Sequence, residues 1–217
     1  DVAIPQILAA GTILSGQQCT AATRILVQRH VAPAFKEAMS RAMKAFRVGP
    51  GHLPGSDMGA VIDLANRDRI LRLIDEVGER HRVVVRGGKV EGMAENGAFV
   101  SPTLVEVEDP RSDVVQKEHF APLMTLEVFD SDRDGVDLAN ATRFGLGSSV
   151  WTRDHARAHR MAREVRCGTV WINAHNKLFA EAETGGYRES GFGRLHGLEG
   201  MNDFMQTKHV YEEIGGL

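Results

Sequence analysis

From Ile25 to Ile172 the chain alternates short β-branched or apolar runs with stretches of helical periodicity, and this alternation restricts the fold more than any other feature. A strand turns successive side chains to opposite faces, whereas a helix brings residues three and four apart onto one face. Ile25, Leu26 and Val27 read as a strand, and Phe35, Met39, Met43 and Phe46 recur at helical spacing. Ile70, Leu71, Leu73, Ile74 and Val77 predict the next helix, ending between Gly78 and His81, and Val83 to Val85 a strand closed by Gly87-Gly88. Phe99 to Val107 is strand material interrupted by Pro102. Leu123 to Phe129 (strand), Gly135 to Arg143 (helix), Gly147 to Trp151 (strand), Asp154 to Val165 (helix) and Gly168 to Ile172 (strand) continue the alternation. Strands separated by helices pair through crossovers, so the expectation is an α/β fold, a mainly parallel sheet flanked by helices.

Outside that core the signals change. Val2, Ile4, Ile7 and Leu8 predict an opening helix, and Gly49 to Gly59, with Pro50, Pro54 and four glycines, is loop chemistry. From Asn173 to Gly200 periodicity is lost, and a connection this long is uncommon unless it serves a site. Lys208 to Ile214 reads as a closing strand. The chain starts at Asp1 and enters a helical pattern at once, which looks like a fragment or a processed chain.

At 217 residues and 42% hydrophobic content, there is enough material for one domain with a sizeable core. The 26 basic and 29 acidic residues alternate along the chain, which argues against nucleic-acid binding. No apolar stretch approaches the roughly 20 residues of a membrane helix. Two distant cysteines, Cys19 and Cys167, make neither a disulfide framework nor a metal-ligand spacing, which fits a reducing, cytoplasmic setting. The nine histidines, among them His119, His175 and His196, show no paired ligand spacing, so no metal is expected.

Two residues compete for attention as thiols. Cys19 lies in Ser15-Gly16-Gln17-Gln18-Cys19-Thr20-Ala21, between a helical segment and a strand, where small and polar neighbours leave it approachable. A thiolate attacks a carbonyl carbon well and leaves the resulting acyl species well, so one cysteine can carry two-step acyl chemistry. A lone cysteine is more often a small, inert hydrophobe, and Cys167, at a helix end before an apolar strand, is assigned to packing.

The run from Gly16 to Ala21, with Arg24 five residues after the cysteine, resembles the active-site signature of the aldehyde dehydrogenase superfamily. Further matches follow in the family's order. Gly97 to Leu104 resembles the strand segment before the second cofactor-contacting motif, and Glu118-His119-Phe120-Ala121-Pro122 resembles that motif, usually Glu-x-Phe-Gly-Pro. Asn140 with Phe144-Gly145-Leu146, Gly168 to Asn173, and Ser190-Gly191-Phe192-Gly193-Arg194 complete the series. The departures are Leu14 where asparagine is common, Ala121 for glycine, and Glu183-Thr184 where Pro-Phe often precedes the double glycine.

The resemblance, which covers essentially all of residues 1–217, implies the catalytic domain of an enzyme oxidising an aldehyde to a carboxylic acid with NAD or NADP. Cys19 is then the nucleophile, its own backbone N–H one arm of the oxyanion hole, Glu118 a ligand of the nicotinamide ribose, and Phe120 a neighbour of the nicotinamide ring. The family's Rossmann-like cofactor domain, oxyanion asparagine and general-base glutamate lie upstream of the matched region and are not assignable here, so residues 1–217 alone are expected to be inactive. Residues 208–214 resemble the strand that joins subunits, implying a homodimer or a dimer of dimers in the full-length protein. Substrate contacts are expected from Gln18, Thr20 and the loop from His175 to Glu183. The rival readings are a CoA-acylating aldehyde dehydrogenase and a non-catalytic assembly fragment. Asn173, at the mouth of a predicted strand, either orders the active-site loop or bonds its own backbone in a turn. The double glycine at 185–186 and the Ser190 to Gly193 run do not follow a strand and open a helix, which weighs against a phosphate loop.

Overall fold

The computed structural model describes residues 2–216. Its centre is a four-stranded sheet in the order β1 (Arg24–Gln28), β4 (Leu123–Phe129), β3 (Thr103–Glu106), β2 (Arg82–Val85). β1 pairs parallel with β4, and β4 with β3, as the helix-linked order requires. β2 runs antiparallel to β3 with an irregularity between Val83 and Val85, so the sheet is mixed at one edge. The reason lies in the connection: no helix separates β2 from β3, and the chain returns through residues 86–102 in a wide hairpin-like excursion. β5 (Gly147–Val150) and β6 (Thr169–Ile172) form a separate parallel pair crossed by α6 (His155–Glu164).

β4 is buried almost throughout and divides two apolar layers. Met124 and Leu126, with Leu104, Ile25 and Val27, face α1 (Ala3–Thr12) and α2 (Ala32–Lys44), which contribute Ile7, Leu8, Met39 and Met43. Leu123 and Val105 face the opposite layer with Ile70, Ile74 and Val77 of α3 (Leu64–Arg80) and Val114 and Val115 of α4 (Asp113–Gln116). Three helices, α3, α6 and α5 (Asp132–Ala139), start where a short polar side chain holds the first turn. Asp63 accepts from Asn66 N at 2.7 Å, Asp154 from Arg157 N at 3.0 Å, and Ser131 and Asp134 form a reciprocal capping box on α5.

Pro102 has no N–H to give a ladder, and β3 begins directly after it, so the strand is shorter than its apolar pattern. Lys208 to Ile214, expected as a strand, is instead exposed chain without a ladder partner among the described residues. Extended backbone becomes a strand only when another strand satisfies its N–H and C=O groups. In the loop after β6 a 3-10 turn at Arg188–Ser190, an isolated antiparallel bridge between Thr184 and Leu195, and α7 (Gly197–Asn202) come before that tail.

Candidate active site

The segments carrying the sequence motifs gather at the amino ends of β1, β4 and β3, which residues 13–23, 118–122 and 97–102 immediately precede. Open α/β sheets usually bind ligands at the carboxyl ends of their strands, so this is a departure from the common pattern. A contribution from a carboxyl end comes only from the smaller pair: residues 173–177 follow β6 and reach back to Thr20.

The approach to Cys19 is bent sharply by consecutive left-handed residues, Leu14 (φ 46°), Ser15 (φ 59°) and Gly16 (φ 73°). Such backbone is costly for L side chains and persists only where surroundings hold it. Ser15 is buried and its hydroxyl faces the carbonyls of Gly59 and Ala60 at 3.1 and 3.0 Å. A Cβ on Gly16 would lie 2.3 Å from the Ala121 carbonyl, so only glycine lets the cysteine loop rest on the loop of Glu118 and Phe120. Two motifs far apart in sequence are thus locked together by backbone contact.

Cys19, exposed, and Thr20, half-buried, occupy the centre of a turn closed by Ala21 N donating to Gln18 O at 2.9 Å. Nothing among the described residues accepts from the Cys19 N–H. Gln17 anchors the turn on one side: its Oε1 accepts from Ile62 N (3.1 Å) and Asn66 Nδ2 (3.0 Å). Asn66 in turn accepts from Arg69 Nε (2.8 Å), whose Nη2 donates to the His119 carbonyl (2.9 Å). This relay ties the cysteine turn to the Glu118–Phe120 loop a second time. On the other side, Thr20 donates to Asn176 Oδ1 (2.7 Å) and accepts from Gln18 Nε2 (2.9 Å).

Phe120 is itself left-handed (φ 51°) and 41% exposed, and it shares the walls of a cavity of about 1390 Å³ with Ile13, Gln17, Met58, Asn66 and Arg69. Cys19 and Glu118 are exposed and stand outside that wall. The neighbouring His119 points inward; burial depresses its pKa, and Arg69 and Lys117 push the same way. Its Nε2 has no hydrogen-bond partner among the described residues.

Other motif residues turn out to be structural. Arg24 makes a bidentate pair with buried Glu127 (2.8 and 2.9 Å) and also donates to Leu138 O, binding β1 to β4 and α5. Asn140 accepts from Arg166 N (2.7 Å) and donates to Glu164 O (3.0 Å), clamping the ends of α5 and α6. Asn173 bonds neither a ligand loop nor its own backbone; it exchanges bonds with Thr152 N and O at 2.9 and 2.8 Å. A Cβ on Gly168 would collide with Gly185 O, so the double glycine serves backbone packing. Cys167 is buried, donates to Thr169 O and has its pKa pushed up to about 11 by burial, so it is inert as a nucleophile at neutral pH. Sequence reasoning placed Gln17 in the cysteine motif but missed its relay to Asn66 and Arg69, because ordinary polar residues of a helix such as α3 advertise no role until the fold sets them beside a loop. Among the described residues no group of three His, Cys, Asp or Glu could hold a metal, and no helix is long and apolar enough to cross a membrane.

Residues 1–210 match the family described as aldehyde dehydrogenase. The chain is 34% identical to a betaine aldehyde dehydrogenase of Bacillus subtilis (strain 168) over 97% of its length, and 36% identical to 4-trimethylaminobutyraldehyde dehydrogenase A of Danio rerio over 99%. It spans only 44% and 43% of those relatives. Among solved structures it resembles betaine aldehyde dehydrogenase of Staphylococcus aureus in complex with NAD+, with a TM-score of 0.91 and 33% identity, covering 100% of this chain and 44% of that one. In a crystal of a point mutant of that protein with NAD+, a cysteine carries a BME modification.

Proposed function

Because the chain belongs to the aldehyde dehydrogenase family, we propose that the protein of which it is part oxidises an aldehyde to a carboxylic acid with NAD or NADP, and that Cys19 is its nucleophile. The observation that carries this reading is the contrast between the two thiols. Cys19 sits exposed in a turn held on both flanks by side-chain hydrogen bonds, while Cys167 is buried and held protonated.

In this mechanism the Cys19 thiolate adds to the aldehyde carbon, and the Cys19 N–H, which has no acceptor among the described residues, donates to the oxygen as it gains charge. The tetrahedral adduct on Cys19 becomes a thioester as its carbon gives up a hydride, for which NAD(P) would supply the acceptor. Water then cleaves the thioester, releasing the acid and regenerating the thiolate. Glu118 and Phe120 fit the nicotinamide end of such a cofactor. The Glu118 carboxylate is exposed and free of ion pairs among the described residues, so it can accept both hydroxyls of a ribose, and Phe120 offers an apolar ring at the cavity wall. The backbone lock between Gly16 and Ala121 would hold both groups in register with Cys19.

The test is NAD(P)H formation by the full-length protein and its Cys19→Ala variant over a panel of aldehydes. The panel includes betaine aldehyde and 4-trimethylaminobutyraldehyde, named for two relatives, each with and without CoA. The expected result is acid formation without CoA, lost by at least about 10³-fold in the variant. Activity retained by Cys19→Ala sinks the reading, and an absolute need for CoA replaces water as the acyl acceptor.

A further inference from the structure

The cysteine turn belongs to no helix or strand and leaves Cys19 exposed, so its conformation must be imposed from outside. On its far side the restraint comes from a histidine. His175 Nε2 lies 2.8 Å from the backbone carbonyl of Thr20, the residue after Cys19. A carbonyl only accepts, so Nε2 carries the proton and Nδ1 is left as an acceptor in the neutral ring. Ser149 of β5 meets that requirement, its hydroxyl 2.5 Å from Nδ1. The imidazole also packs against Trp171 of β6, with ring centroids 4.8 Å apart, and Trp171 Nε1 donates to Lys177 O at 2.8 Å, closing the loop that carries the histidine. Burial lowers the His175 pKa, which keeps the neutral form in place at neutral pH.

Resting on the reading of Cys19 as nucleophile, we propose that His175, oriented by Ser149, is a positioning residue that sets the Cys19 turn through the Thr20 carbonyl. The β5–β6 pair is the rigid frame, the imidazole is the strut, and the peptide after Thr20 is the point of attachment. Holding that carbonyl restricts the turn to one arrangement of its central residues, and hence one direction for the thiolate and the Cys19 N–H. A misplacement of about 1 Å can lower a rate on the order of 10²-fold, so a strut of this kind affects turnover more than substrate binding.

The experiment uses the full-length protein with His175→Phe, His175→Gln and Ser149→Ala. Three quantities are read: the alkylation rate of Cys19 by iodoacetamide, kcat and KM on the aldehyde found active above, and the thermal midpoint. Phenylalanine keeps the ring contact with Trp171 but not the bond to Thr20, and it is expected to slow alkylation and kcat by about 10-fold or more with KM little changed. Glutamine presents an amide N–H near the Nε2 position and is expected to recover most of both rates; Ser149→Ala falls between. Imidazole 15N spectra of wild type are expected to show the Nε2–H tautomer for His175. Rates unchanged in His175→Phe, equal losses in the Phe and Gln variants, or an Nδ1–H tautomer in wild type each overturn the proposal. The tautomer decides alone if His175→Phe does not fold. Activity surviving in Cys19→Ala is a different failure: it removes the nucleophile itself, and the strut's role falls with it.

Discussion

His119 sits between the two side chains assigned to the cofactor, yet its ring is turned away from them into the protein, where Nε2 finds no partner. Desolvation is the largest cause; Asp113, through its backbone and its charge, opposes it, while the cations Arg69 and Lys117 reinforce it, so the folded pKa lies below the ordinary value of 6.5. His175 shifts in the same direction through burial. The sign of the consequence follows from proton uptake. Above pH 6.5 both states hold these rings neutral and no stability depends on them; as pH falls below 6.5 the unfolded chain gains protons that the folded rings refuse, and stability is lost down to the folded pKa values. The carboxylates held low by arginine and lysine, such as Asp57, Asp113 and Asp132, respond only at more acidic pH, which separates the two effects. The thermal midpoint is therefore expected to drop between pH 7.5 and 5.5, and His119→Leu to flatten that drop without lowering the midpoint at pH 7.5, since it removes an unpaired polar atom. A variant with the wild-type slope would show that His119 is not among the groups responsible.

At the scale of elements, the loop before β1 and the loop before β4 behave as one unit because Gly16 rests on Ala121 and Pro122. Gly16→Ala adds a Cβ 2.3 Å from backbone atoms that have no rotamer to escape into, at a φ of 73° that L residues resist. The expected cost is on the order of 3 kcal/mol in denaturant unfolding, with Cys19 alkylation altered as the turn shifts. Gly51→Ala, where an added Cβ meets nothing within 4 Å, serves as the control, expected within about 1 kcal/mol of wild type. A Gly16→Ala protein as stable as the control would mean the two loops are free to separate. Most elements are legible in the sequence because each has its own period and its own caps, as Ile70-Ile74-Val77 behind Asp63 shows for α3. Less legible is what depends on partners distant along the chain. The reversal of β2, the split into two sheets and the bond from His175 to Thr20 leave no local trace, since none changes a hydrophobic period. Cys19 stood out only by resemblance; its turn became physical once Gln17, Thr20 and the loop after β6 were placed around it.

For the whole molecule, the apolar balance of the described chain is uneven in a way that one core cannot explain. The layers on either side of β4 are closed, yet Phe192 is 100% exposed, Phe204 91% and Ile214 86%, with Leu198, Val210 and Tyr211 also in the open. Scattered exposed apolar residues are ordinary, but a run of them along one segment marks a surface that another body covers. The tail from Lys208 to Ile214 holds Val210, Tyr211 and Ile214 in the open, and its backbone has no hydrogen-bond partner among the described residues, which leaves it free to add to a sheet edge. These features support the proposal that the full-length protein assembles as a homodimer or a dimer of dimers through this tail. Light scattering at micromolar concentration is expected to give a dimer or tetramer mass. Val210→Lys with Ile214→Lys, which place charge on one face of the tail when it is extended, are expected to shift the mass toward monomer and lower the thermal midpoint, since a buried subunit contact stabilises by mass action. The same double substitution in a protein that is already monomeric would leave both readings unchanged, and the tail would then have to be covered within its own chain.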